Sequence, residues 1–118
     1  MGQPASKFVK QPQAAAIDRS QLARMTFGDR SLEREVLQLF NRQAELLLAR
    51  MRDGEASAVS TLAHTLKSSA ASIGAANVAQ AAAIVEQSIG AGERNMAVCS
   101  LAAAIDLARA EIAELLQE

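Results

Sequence analysis

His64 is the only histidine of the sequence. It is the one side chain whose ordinary chemistry unambiguously includes proton transfer or nucleophilic attack near neutral pH. Its direction matters as much as its presence. Val59, Leu62, Leu66, Ala70 and Ile73 recur at helical spacing, and at about 100° per residue they fall on one side of a helix. On the same projection His64 stands about 160° from the centre of that stripe, on the opposite face. Ser68 and Ala71 share its direction, and Lys67 flanks it at about 100° from the stripe. Side chains three and four apart are neighbours on a helix surface, so Lys67 is within reach of an anion attached to His64. Ser68 and Ala71 place no bulk over the ring. An exposed ring nitrogen, a cation beside it and clearance for another protein's active site are what a phosphoryl-accepting imidazole needs. A lone helical histidine is usually structural, but its place opposite the apolar stripe favours a functional role.

Three classes of function remain to be weighed. One is a phosphoryl relay, the second a helical interaction module without transfer, the third an enzyme. The sequence offers no Ser-His-Asp set, no carboxylate–histidine metal cluster and no Gly-rich phosphate loop, so the enzyme reading is the weakest. No metal site and no cofactor are expected.

The elements that must position His64 follow from periodicity. Residues 1–16 read as a tail, because Pro4, Pro12 and three Gln interrupt any period, although Phe8 and Val9 have the character to pack on the body. Asp18 offers an N-cap with Gln21 as its capping-box partner, opening a short helix from Arg19 to Thr26. Phe27-Gly28-Asp29 ends it, with Gly28 free to take positive φ and Asp29 capping the next helix. That helix runs from Arg30 to Arg52 with Leu32, Val36, Leu39, Phe40, Leu47 and Met51 as its stripe, and Asp53-Gly54 stops it. Its arginines, Arg30, Arg34, Arg42, Arg50 and Arg52, read as a wet face partly paired with Glu33, Glu35 and Glu45. A third helix is expected from Glu55 to Ser72, closed by Gly74, and a fourth from Ala76 to Ile89 with Val78, Ala82, Val85 and Ile89 inward. Gly90-Ala91-Gly92 breaks the chain before a last helix from Asn95 to Leu116, whose stripe is Val98, Leu101, Ile105, Ala108, Ile112 and Leu115. The expected fold is all-α: an antiparallel four-helix bundle over residues 17–118 with an additional short N-terminal helix.

Composition agrees. The 118 residues suit one domain, and half are apolar, with alanine prominent and only three aromatic side chains. Twelve basic against thirteen acidic residues, net −1, give no field for nucleic acid or an anionic membrane. Cys99 is the only cysteine, so an intramolecular disulfide is excluded; it reads as a small core or boundary residue. No apolar run is long enough to span a bilayer, and the polar start shows no signal peptide. Residues Met1 to Ser6 fit the loose myristoylation pattern, which chance supplies often, and are read as ordinary chain.

The run Ala63-His64-Thr65-Leu66-Lys67-Ser68-Ser69-Ala70-Ala71-Ser72-Ile73-Gly74-Ala75 resembles the signature of histidine phosphotransfer (HPt) domains, His-x-Leu-Lys-Gly-Ser-x-x-x-hydrophobic-Gly. Val85-Glu86 extends the resemblance, as do Gly28-Asp29, Leu32 and Val36-Leu37-Gln38-Leu39-Phe40 upstream. One position departs from the pattern: Ser68 stands where the family often has Gly. Serine is still small, so access to the ring should survive, and rate and partner preference are what the change touches.

The resemblance implies a phosphocarrier that is not itself an enzyme, passing a phosphoryl group between receiver-domain aspartates through phospho-His64. It implies His64 as phosphoacceptor through Nε2, with Lys67 stabilising the phosphoryl oxygens and Glu86 orienting the ring through its other nitrogen. It implies response regulator receiver domains and a sensor histidine kinase as partners, Mg²⁺ on the receiver, a monomer, and a cytoplasmic pathway. Receiver docking would surround the histidine, including Ser68 and Ala71, and use the short first helix. Ile17, Leu22 and Met25 are then either an apolar contact patch or simply the cap of the bundle.

Overall fold

Residues 16–54 and 56–118 are described by the computed structural model. They form five helices: α1 (Arg19–Met25), α2 (Arg30–Asp53), α3 (Ala56–Ser72), α4 (Ala76–Gln87) and α5 (Ala91–Leu116). The connections between α2, α3, α4 and α5 are too short to let the chain do other than reverse, so consecutive helices run antiparallel. Each long helix packs on its neighbours in sequence, and α2 closes the ring against α5. The short α1 rests on α3. The expected four-helix bundle with one added helix is therefore the fold.

One continuous core fills the ring. Leu37, Phe40, Ala44, Leu47 and Met51 come from α2, and Val59, Ala63, Leu66 and Ala70 from α3. Val78, Ala82 and Val85 from α4 meet Leu101, Ile105, Ala108 and Ile112 from α5. Alanines recur at these contacts, so helix backbones approach closely without large side chains between them. The α5 stripe is the one read from periodicity. On α2 the buried face is rotated from the expected one: Leu37 is inside and Leu39 is exposed. On α3, Ala63 is buried and Leu62 only partly, which turns the core face by about 20° toward the Lys67 side.

The helix ends explain themselves locally. Asp18 caps α1 by accepting from the Ser20 and Gln21 N–H groups, and Asp29 caps α2 by accepting from Ser31 and Leu32. The capping box does not close, however. The Gln21 amide donates instead to the Ala71 carbonyl at the end of α3, and the Asp18 N–H donates to the Gly74 carbonyl at 2.8 Å. Gly74 ends α3 at φ +84, where the Ala75 N–H reaches the Ala70 carbonyl at 2.8 Å and the Gly74 N–H reaches Ala71. A Cβ there would stand 2.7 Å from the Asp18 carbonyl oxygen, so glycine is required by both conformation and space. The same pair of closing bonds ends α1, but there Phe27 holds the left-handed position, at φ 57, with Gly28 after it.

Two expected boundaries shift. Helix α4 stops at Gln87 because Ser88 turns extended, its hydroxyl bonded to the Val85 carbonyl, and this leaves Ile89 outside the core and exposed. Helix α5 begins at Ala91 rather than Asn95, since the positive φ of Gly90 alone makes the turn and Gly92 simply joins the first helical turn. The body also begins earlier than expected. Ala16, read as tail, packs against the core, and its N–H donates to Glu111 on α5 at 2.7 Å, with the Ile17 N–H on the other carboxylate oxygen at 3.1 Å. The rest of the expected tail, Phe8 and Val9 included, and Glu55 at the expected start of α3 lie outside the described residues. Cys99 is exposed rather than packed inside. Of the expected α2 pairs, Arg30–Glu33 forms at 3.2 Å.

Candidate functional site

The α3 helix carries His64 outward because the residues around it bury the other side. Ala63, Leu66 and Ala70 are fully enclosed, and the His64 side chain is 60% exposed. Lys67 lies about 80° from the centre of this core face, which is why its stem is half-covered while its ammonium stays outside. Ser68 and Ala71 are both exposed along the His64 row, as expected.

Glu86 reaches this row from α4 and joins its two charged members. Its Oε2 lies 2.8 Å from His64 Nδ1 and its Oε1 lies 2.8 Å from Lys67 Nζ. The Lys67 ammonium, and after it the His64 ring, hold the Glu86 carboxyl below its usual 4.5. It is then a carboxylate near neutral pH and can only accept, so the proton of this contact belongs to Nδ1. An imidazole bearing its proton at Nδ1 presents its lone pair at Nε2. Among the described residues Nε2 has no hydrogen-bond partner, so the free nitrogen points to solvent. The structure thus brings together the three residues singled out by sequence, His64, Lys67 and Glu86. Lys67 and His64 share the one carboxylate of Glu86.

Residues 34–118 match the Hpt domain family. The chain belongs to the Hpt domain family. Histidine phosphotransfer in two-component signalling is the work of this family, and its members act as phosphocarriers rather than as classical enzymes, dealing with receiver domains and kinases. No curated protein and no solved structure matches the chain significantly. The Hpt match takes in α3, α4 and α5 whole and most of α2, and leaves α1 to be explained by its own contacts. No helix of the described residues is long and apolar enough to cross a membrane, and no cluster of metal-binding side chains occurs among them.

The ground on either side of the His64 row differs in kind. Toward α4 a shallow groove is lined by Lys67, Ala71, Gly74, Ala79 and Gln80, with Gln21 at its end. Toward α2 a second groove is largely apolar, lined by Met25, Val36, Leu39 and Phe40 beside Ser69 and Ser72. Ile17 and Leu22, candidates for a contact patch, are each 1% exposed and belong to the core. Leu22 is the buried residue of α1 and Ile17 lies just before its cap, so the two anchor the short helix on the bundle. Met25 alone of the three remains exposed. Sequence reading missed Leu39, placed in the core stripe, and Phe27, treated as a helix stop; Phe27 is 90% exposed. The signal available for Phe27 was a bulky side chain one residue before a glycine, at a place where helices usually end on glycine itself.

Proposed function

We propose that this Hpt domain relays a phosphoryl group from the aspartate of one receiver domain to that of another through phospho-His64. The observation that carries the reading is the Glu86–Nδ1 contact, which leaves the Nε2 lone pair outward and unencumbered. In the first transfer Nε2 attacks the phosphorus of an aspartyl phosphate, the N–P bond forms, the P–O bond breaks and the aspartate leaves as a carboxylate. The second transfer runs the same exchange in reverse onto a different aspartate. Lys67, on a flexible stem 2.8 Å from Glu86, swings to the phosphoryl oxygens as they arrive. The receiver supplies Mg²⁺ and its own lysine, and the domain contributes positioning and access.

Docking falls on the apolar groove beside the His64 row, with Met25, Phe27 and Leu39 as contacts and Ser68 and Ala71 keeping the approach to Nε2 open. Phe27 supports this assignment. A left-handed backbone is costly for a residue with a side chain, and the exposed ring of Phe27 offers apolar surface to a partner without adding to the core. A sensor histidine kinase feeds the first receiver, and the protein acts as a cytoplasmic monomer in this scheme.

Incubation with a ³²P-labelled receiver tests the proposal. The wild-type protein should acquire acid-labile, base-stable label, and His64→Gln should acquire none. If wild type stays unlabelled with every receiver of its organism, the chain is an interaction module of Hpt fold instead.

A further inference from the structure

The bond from Glu86 to Nδ1 has a second chemical role, in giving the phosphoryl group away. We propose that Glu86 keeps the His64 ring protonated at Nδ1 while Nε2 carries the phosphoryl group, so that the ring departs as neutral imidazole. This deepens the proposed function and rests on His64 being the phosphorylated residue.

The electron count sets the requirement. When Nε2 donates its lone pair to phosphorus and Nδ1 keeps its proton, the ring acquires a positive charge. A carboxylate 2.8 Å from Nδ1 balances that charge where it forms. In the return step a nucleophile's oxygen attacks phosphorus, the N–P bond breaks, and its electron pair goes back to Nε2. With Nδ1 protonated the product is neutral imidazole. Without that proton the departing group is an imidazolate anion, a far more basic and slower leaving group. An imidazole nitrogen exchanges its proton near neutral pH, so the difference falls in the physiological range.

Lys67 makes the arrangement responsive. Before phosphorylation its ammonium occupies Glu86 Oε1. A phosphoryl group beside it draws the ammonium away, and the Glu86 carboxylate is then left to the ring alone. The two charged groups facing His64 and paired with it or its partner are Glu86 from α4 and Lys67 from α3 itself. Helices α1 and α2, which also pack on α3, place no ion-pair partner on either His64 or Glu86 among the described residues. The ring's proton is therefore under the control of one carboxylate. A glutamine at this position would still accept the Nδ1–H bond and orient the ring, but it carries no charge to balance the phosphorylated ring.

The test needs no partner protein. Phosphoramidate phosphorylates imidazole chemically and releases ammonia. Wild type, Glu86→Gln and Glu86→Asp are loaded with it, and loss of phosphohistidine to water is followed by ³¹P NMR from about pH 6 to about pH 9. Wild type should lose the phosphoryl group at a rate that changes little over this range. Glu86→Gln should match it at the acid end and then fall behind by up to about tenfold per pH unit. Glu86→Asp should restore part of the wild-type profile, because it restores the charge. A wild-type to Glu86→Gln ratio that is the same at every pH overturns the proposal and assigns Glu86 a purely orienting role. That result would leave the relay reading standing, since the relay is judged by labelling from a receiver and not by this profile.

Discussion

Replacing Gly74 by alanine should unfasten α1 from the end of the histidine-bearing helix. At φ +84 a residue with a β-carbon costs about 1–2 kcal/mol more than glycine. The new Cβ would also lie 2.7 Å from the Asp18 carbonyl oxygen and 3.1 Å from the Asp18 nitrogen. Both atoms are backbone, so no side-chain rotation relieves the overlap. The Asp18 N–H to Gly74 carbonyl bond must lengthen from 2.8 Å or break, at a net cost of about 0.5–1.5 kcal/mol. The sum is about 1.5–3.5 kcal/mol, which at a urea slope of about 1.5 kcal/mol/M lowers the unfolding midpoint by about 1–2.3 M. Gly28 provides the control. It too has positive φ, +74, but a Cβ there meets nothing within 4 Å, so Gly28→Ala should lose only the conformational part, about 1 M. Urea titrations of both variants, followed by circular dichroism, decide the matter. Equal losses would refute the claim that α1 is held by a close approach at Gly74.

Three further outcomes follow from the same contacts. Lys67→Ala should slow phosphoryl transfer on the order of tenfold to hundredfold with helicity unchanged in circular dichroism, since the residue lies off the core face. Phe27→Gly should raise stability by about 1 kcal/mol in thermal unfolding, by relieving a left-handed residue, while weakening receiver binding measured by calorimetry. Because the Glu86 pKa is lowered in the folded state, its bridge stabilises above the ordinary value of 4.5 and that contribution disappears as pH falls through the folded value. The melting-temperature gap between wild type and Glu86→Gln should therefore be present above the ordinary value of 4.5 and close as the pH falls on the acid side of it.

Helix existence and the outward direction of His64 were legible because an apolar period over a long helix is a strong, redundant signal. Each of several positions on α3 votes for the same face, so the misplacing of Leu62 and Ala63 moved that face by only about 20°. The contact of Glu86 with His64 joins two helices and rested on family resemblance until the structure brought the groups together. Leu39 was misread because leucine satisfies a periodic pattern whether or not a neighbouring helix covers it; only the rotation of α2 against α3 leaves it outside. Gln21 signalled only a local capping box, and Glu111 gave no signal. Both hold backbone groups far away in sequence, Gln21 at Ala71 and Glu111 at Ala16 and Ile17, and local rules assign such side chains to caps or solvent. Phe27 escaped for a related reason, since propensity predicts glycine in its conformation and reports nothing about why another residue is kept there.

In the proposed relay, a single acceptor nitrogen in a row between two grooves has a consequence for traffic between receivers. Any receiver that reaches Nε2 must cover that row, so supplier and recipient would take turns on one berth and never meet on the protein. On that reading the route would be a shuttle with alternating occupancy. Raising the amount of unphosphorylated recipient beyond what the shuttle carries should obstruct reloading and lower the flux it was meant to increase.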